Sequence, residues 1–147
     1  LELATRCAST MRKHQWGRIL FIGSINQVTP LPALPVYAAM KCAMASVVRS
    51  LAIELAEDHV TANSLLPGLV ETDRNAHRRA PGGDWEWHST HSNYMKRAAS
   101  PEEIAGLAVF LCSEASSFCT GSEYLVDGGA HIPGKFNWHQ QMRRTSP

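Results

Sequence analysis

Three short apolar runs, each closing on glycine, constrain this chain more than any other feature. They are "GRILFIG" at residues 17–23, "HVTANSLLPG" at 59–68 and "SEYLVDGG" at 122–129. The first carries Ile19 to Ile22 without a polar interruption, which suits a strand covered on both faces rather than one with a wet side. The second is broken by Pro67 and Gly68. Between these runs the pattern is helical. From about Val36 to Glu57, apolar residues fall at Val36, Met40, Met44, Val47, Leu51 and Leu55, a spacing that makes one face of a helix. Ala38, Ala39, Ala43 and Ala45 leave other sides of it open to close approach by neighbouring helices. A further helix is signalled at Ser100: the serine caps, Pro101 suits the first helical position, and Glu103 completes a capping box. Strands alternating with helices of this length predict a parallel sheet joined by helical crossovers, an α/β fold.

The opening stretch, "LELATRCASTMRKHQW", already follows helical spacing at Leu1, Ala4, Ala8 and Met11, without an initiator methionine or a capping residue. It reads as the inside of a helix, and the chain therefore as the rear portion of a longer protein. At 147 residues the chain is expected to form one domain, over residues 1–129, with a patternless tail at 130–147. Fourteen Lys plus Arg against 13 Asp plus Glu leave a formal charge of +1. That supplies no field to draw nucleic acid or an acidic membrane, and it favours a small-molecule partner. No apolar run is expected to reach the length of a bilayer span, and no signal peptide opens the chain. The cysteines at 7, 42, 112 and 119 form no C-x-x-C pair. They read as free, buried thiols of a reducing compartment, hence a cytoplasmic protein. Residues 73–97 are polar with scattered aromatics and too long for a routine connection, so they form either a functional flap or disorder.

The chemistry concentrates in "SINQVTPLPALPVYAAMK", residues 24–41. Tyr37 and Lys41, four apart on a helix, share a face. A phenol is a poor base at neutral pH. An ammonium at about 5 Å, with an effective dielectric of roughly 20, stabilises the phenolate by about 3 kcal/mol. Tyr37 would then trade a proton with an alcohol or carbonyl oxygen, while Ser24, at the end of a buried strand, polarises that same oxygen. Proton exchange at oxygen calls for hydride transfer at carbon. No side chain carries hydride, so a nicotinamide is required.

"GRILFIGS", "YAAMK", "NSLLPGLVETD", "KRAASPEEIAGLAVFLCSEASSFCTG" and "EYLVDGG" occur in an order and spacing that resemble the rear part of a short-chain dehydrogenase/reductase, over residues 16–129. The resemblance implies the C-terminal part of a Rossmann-like, doubly wound parallel sheet: three strands with flanking helices, the front half missing. It implies that Ser24 orients substrate, that Tyr37 is the general acid/base, and that Lys41 favours the ionised phenol and bonds the nicotinamide ribose. Pro67, Gly68, Val70 and Thr72 would surround the nicotinamide, with the Val70 backbone and Thr72 on its carboxamide; Tyr37 and Lys41 would touch the cofactor too. The implied activity is NAD(P)-dependent interconversion of a secondary alcohol and a ketone by a homotetramer or dimer, paired through the opening helix and the Tyr37 helix. The family's glycine-rich phosphate loop, its NAD-or-NADP selector, its Asn-Asn-Ala-Gly strand and a supporting asparagine do not occur in this sequence. Two other readings share the pattern: an oligomerising fragment without catalysis, and a non-redox lyase or isomerase on the same fold.

Several residues have blander roles. Asp127, Gly128 and Gly129 fit a tight turn. Cys42 fits packing. His88 and His91 have helical spacing but lack further ligands for a metal. Trp85, Trp87, His88, His91 and Tyr94 are candidates for pocket walls. Arg74, Arg78 and Arg79 fit either a solvated face or a site for an anionic substrate. Phe136 and Trp138 in the tail fit either contact with a neighbouring subunit or a loose end.

Overall fold

The computed structural model describes residues 2–133. Three parallel strands form one sheet in the order β1 (Gly17–Ile22), β2 (Val60–Pro67) and β3 (Glu123–Val126). Gly17 stands opposite Val60, and Ser64 opposite Glu123. β2 is therefore central and buried from Val60 to Leu66. Its polar residues are tolerated because they bond: Asn63 Nδ2 donates to the Cys119 carbonyl at 2.7 Å, and Asn63 Oδ1 accepts from Ser122 N at 3.1 Å. That pair of bonds also sets the approach of β3.

Helices α1 (Glu2–His14), α2 (Pro35–Leu55) and α5 (Pro101–Leu111) flank the sheet. Ala8 of α1 joins Val48, Leu51 and Leu55 of α2 and Val60 and Ala62 of β2 in one core, with Ala4 and Met11 packed against it. Full burial of a leucine such as Leu55 contributes about 1.5–3 kcal/mol. α5 begins as expected. Glu103 accepts from the Ser100 amide at 2.9 Å and takes both Arg97 guanidinium nitrogens at 2.7 Å.

The buried stripe of α2 differs from the one its larger apolar residues predict. It runs through Ala38, Ala45, Val48, Leu51, Ala52 and Leu55, while Val36 and Met40 are exposed. Small side chains let the helix lie close against β2, so alanines rather than methionines face inward. The cysteines are free as expected, yet Cys7, Cys42 and Cys112 are exposed rather than buried. Their helices carry apolar residues on more than one side, and an apolar neighbourhood does not identify the inward face. The expectation about spanning length also needs correction: residues 35–58 are long and apolar enough to cross a membrane by length and composition. In this fold the segment is the helix that covers the sheet.

Residues 73–97 include two short helices, α3 (Ala76–Arg79) and α4 (Trp85–His91). The outer edge of β1 has no partner strand among the described residues. The expectations for Phe136 and Trp138 lie outside the described residues.

Candidate active site

Because the strands are parallel, their carboxyl ends converge, and ligands of open α/β sheets bind there. At the end of β1, the Gly23 amide donates to the Leu65 carbonyl at 2.8 Å. Any Cβ at residue 23 would overlap the Gln27 side-chain oxygen, so glycine is what lets Gln27 fold back over the strand end. Gln27 Oε1 accepts from the Ser24 amide at 3.0 Å, and Gln27 Nε2 donates to Glu123 Oε2 at 3.0 Å. Glu123 Oε1 in turn takes Arg49 Nη1 at 2.6 Å. Ser24 is thus held from β3 and α2 as well as from its own strand. Its Oγ accepts from Asn26 N at 3.2 Å and caps a short turn over Ile25–Gln27.

Tyr37 sits in the first turn of α2, which Pro35 opens. One turn on, Lys41 Nζ donates to the Ile22 carbonyl at 2.9 Å and lies 5.7 Å from the centre of the Tyr37 ring. Phenol and ammonium therefore share one side of the helix. Tyr37 is 38% exposed and not sealed in the core.

Beyond β2 the backbone makes a stiff wall. The Gly68 amide donates to the Val126 carbonyl at 2.9 Å, and a Cβ on Gly68 would stand 2.8 Å from Asp127 Cα. Only glycine allows that crossing. Glu71 N donates to Ala99 O and Ala99 N to Leu69 O, each at 2.9 Å, stitching Val70 beside Ala99. Asn75 Nδ2 donates to the Val70 carbonyl at 2.8 Å.

A cavity of about 550 Å³ opens between these elements, and Ser24, Tyr37, Gly68, Val70 and Thr72 all line it. Two expected residues do not. Lys41 stands behind Tyr37, bonded to Ile22, and Pro67 remains in the sheet opposite Val126. Leu31 and Leu34, from the turn ahead of α2, add an apolar wall.

A family model described as enoyl-(acyl carrier protein) reductase matches residues 1–131. The chain belongs to the short-chain dehydrogenase/reductase family. It is 35% identical over 130 residues to the 3-oxoacyl-[acyl-carrier-protein] reductase MabA of Mycobacterium tuberculosis, covering 87% of this chain and 51% of that protein. It is 37% identical to dehydrogenase/reductase SDR family member 4 of Bos taurus, covering 82% of this chain and 43% of that protein. Among solved structures, a 3-oxoacyl (acyl-carrier-protein) reductase from Agrobacterium tumefaciens with NADP bound superposes with a TM-score of 0.76 at 46% identity, over 81% of this chain and 46% of that one. L-sorbose reductase from Gluconobacter frateurii, complexed with NADPH and L-sorbose, gives 0.78 at 34% identity, over 86% and 52%. The chain spans about half the length of the curated relatives it matches.

In this short-chain dehydrogenase/reductase the segment after the Val70 wall supplies further cavity residues: Arg74, Asn75, Arg78 and His88. His88 lies 2.8 Å from Asp84 Oδ2 through its Nε2. Burial, reinforced by the Arg78 charge, holds that imidazole below its usual range against the opposing pull of Asp84. Trp85, Trp87, His91 and Tyr94 do not line the cavity; Trp87 stacks on His91 with ring centres 5.0 Å apart. Arg79 is used elsewhere, donating to the Thr72 carbonyl at 3.0 Å. Asp127 is structural, as its setting in a tight turn predicts: its carboxylate accepts from Gly129 N at 2.9 Å and His131 N at 2.8 Å. No group of three or more metal-ligating side chains occurs among the described residues. Sequence reading missed Asn26 and Asn75. The available signal for Asn75 was an asparagine just past a loop, a residue type that bonds back to nearby backbone.

Proposed function

We propose that this chain supplies the catalytic end of an NAD(P)-dependent oxidoreductase that interconverts a secondary alcohol and a ketone. The observation that carries the reading is the placement of Tyr37 at a cavity beside Ser24, with the Lys41 ammonium on the same side of α2. The cavity fits a nicotinamide: a side-chain-free approach at Gly68, a fixed backbone at Val70 and the Thr72 hydroxyl are suited to a planar ring bearing an amide. When bound, the nicotinamide exchanges hydride with the substrate carbon.

In the reducing direction, the Ser24 hydroxyl donates a hydrogen bond to the carbonyl oxygen and Tyr37 gives that oxygen its proton as the carbon is reduced. The product is a secondary alcohol, and the tyrosinate left behind is stabilised by the Lys41 charge until solvent reprotonates it. Oxidation runs the same transfers backward. An ammonium has three donors. One holds the Ile22 carbonyl, and the others would be available to the nicotinamide ribose. A homo-oligomer, dimer or tetramer, paired through α1 and α2, belongs to the same proposal. Leu3 of α1 and Val36, Met40 and Ile53 of α2 are exposed apolar residues that support it.

The test uses the complete reading frame that contains this chain, mixed with NAD or NADP and a panel of secondary alcohols and ketones. Substrate-dependent change in nicotinamide absorbance is the expected result. Turnover of substrate with no such change would transfer the site to a lyase or isomerase step.

A further inference from the structure

The charged side chains lining the cavity are Arg74 and Arg78, with the His88 imidazole beside them; no aspartate or glutamate lines it. Of the arginine-rich run, Arg79 is consumed by structure: it bonds Thr72, lies 3.7 Å from Glu71 and covers the Trp85 ring at 5.5 Å. Arg78 has a long contact, 3.8 Å, to Asp84, and that carboxylate already takes the His88 ring nitrogen at 2.8 Å. Arg74 forms no ion pair among the described residues. Two guanidiniums at a cavity with no acidic lining residue, only one of them (Arg78) near a carboxylate, Asp84 at 3.8 Å, leave it a net positive field. Their planar forks match carboxylate and phosphate oxygens. The nearby walls at Leu31, Leu34 and Leu69 are apolar.

Building on the oxidoreductase reading, we infer that the substrate carries an anionic group, carboxylate or phosphate, beside its reacting carbon skeleton, and that Arg74 and Arg78 recognise that group. They are specificity residues, separate from the proton transfer at Tyr37. Arg74 stands on the short 3-10 turn Asp73–Asn75, and Arg78 on α3, which follows that turn directly.

The experiment compares matched pairs with the complete protein: acetoacetate against its methyl ester, and dihydroxyacetone phosphate against dihydroxyacetone. The expected result is a kcat/KM for one anion at least about tenfold above its neutral mate, the fold-change of one charge-assisted hydrogen bond. Which pair shows it assigns carboxylate or phosphate. Arg74→Gln, at an exposed residue without an ion pair, should collapse the ratio through KM, and Arg74→Gln/Arg78→Gln should collapse it further. Added salt should raise KM for the anion more than for its mate. Turnover of the neutral compounds at rates equal to or above the anions overturns the inference and leaves the oxidoreductase reading standing. A rise in KM for the dinucleotide, with the anion-to-neutral ratio unchanged in the variants, overturns it by assigning the arginines to cofactor phosphates. Absence of any nicotinamide change, with neutral and anionic compounds alike, removes the oxidoreductase reading and this inference together.

Discussion

Lys41 does two things with one ammonium: it ties the start of α2 to the end of β1 through the Ile22 carbonyl, and it puts a positive charge beside the Tyr37 ring. Lys41→Met should therefore lower kcat by on the order of a hundredfold or more, the scale of assisted proton transfer. A fall of less than about threefold in stopped-flow reduction would remove Lys41 from the mechanism. Gly68 carries a structural demand instead. Gly68→Ala sets a methyl 2.8 Å from Asp127 Cα, backbone that cannot swing aside. It should cost about 1–3 kcal/mol by overpacking, read as a lowered thermal midpoint. The Ser24, Tyr37 and Lys41 grouping was legible because strand-end and helix-turn spacing are properties of the sequence line. The cavity role of Asn75 was not legible, and that of Arg74 was legible only as one of two alternatives, because both depend on how the chain beyond Thr72 folds back over the strand ends.

At the scale of elements, α5 shows a local signal that was fully readable. Ser100, Pro101 and Glu103 predict the helix start, and the Glu103 carboxylate takes the Ser100 amide there. The Arg97 guanidinium, followed by the Ser100 amide, holds the Glu103 carboxyl down to about 2, against an ordinary 4.5. A depressed carboxylate contributes stability above its ordinary value, and that contribution is lost as pH falls from about 4.5 toward about 2. Glu103→Gln keeps a capping acceptor and removes the charge. Its thermal midpoint should lie below the wild type at neutral pH and converge with it near pH 2; a constant offset across the acid range would contradict the assignment. α2 was readable as a helix but not in its facing. Large apolar residues mark a buried face only when the partner leaves room for them, and the close approach of α2 to β2 admits Ala38, Ala45 and Ala52 instead.

Across the whole molecule, the alternation of strands and helices made the three-stranded parallel sheet legible, since crossover helices fix strand direction. What the line of sequence leaves open is which outer surfaces are final. Met40 and Ile53 stand 63% and 82% exposed on α2, beside the proposed partner face. Met40→Glu/Ile53→Glu in the complete protein should shift light-scattering mass from dimer or tetramer toward monomer. An unchanged mass would remove this face of α2 from assembly.

The Tyr37 hydroxyl is the group proposed to exchange a proton with substrate oxygen. Tyr37→Phe in the complete protein, assayed for turnover and for dinucleotide binding on the same preparation, tests it most directly. The predicted result is loss of turnover by at least about a hundredfold, with dinucleotide Kd within about twofold of the wild type. Turnover within about tenfold of the wild type would contradict it.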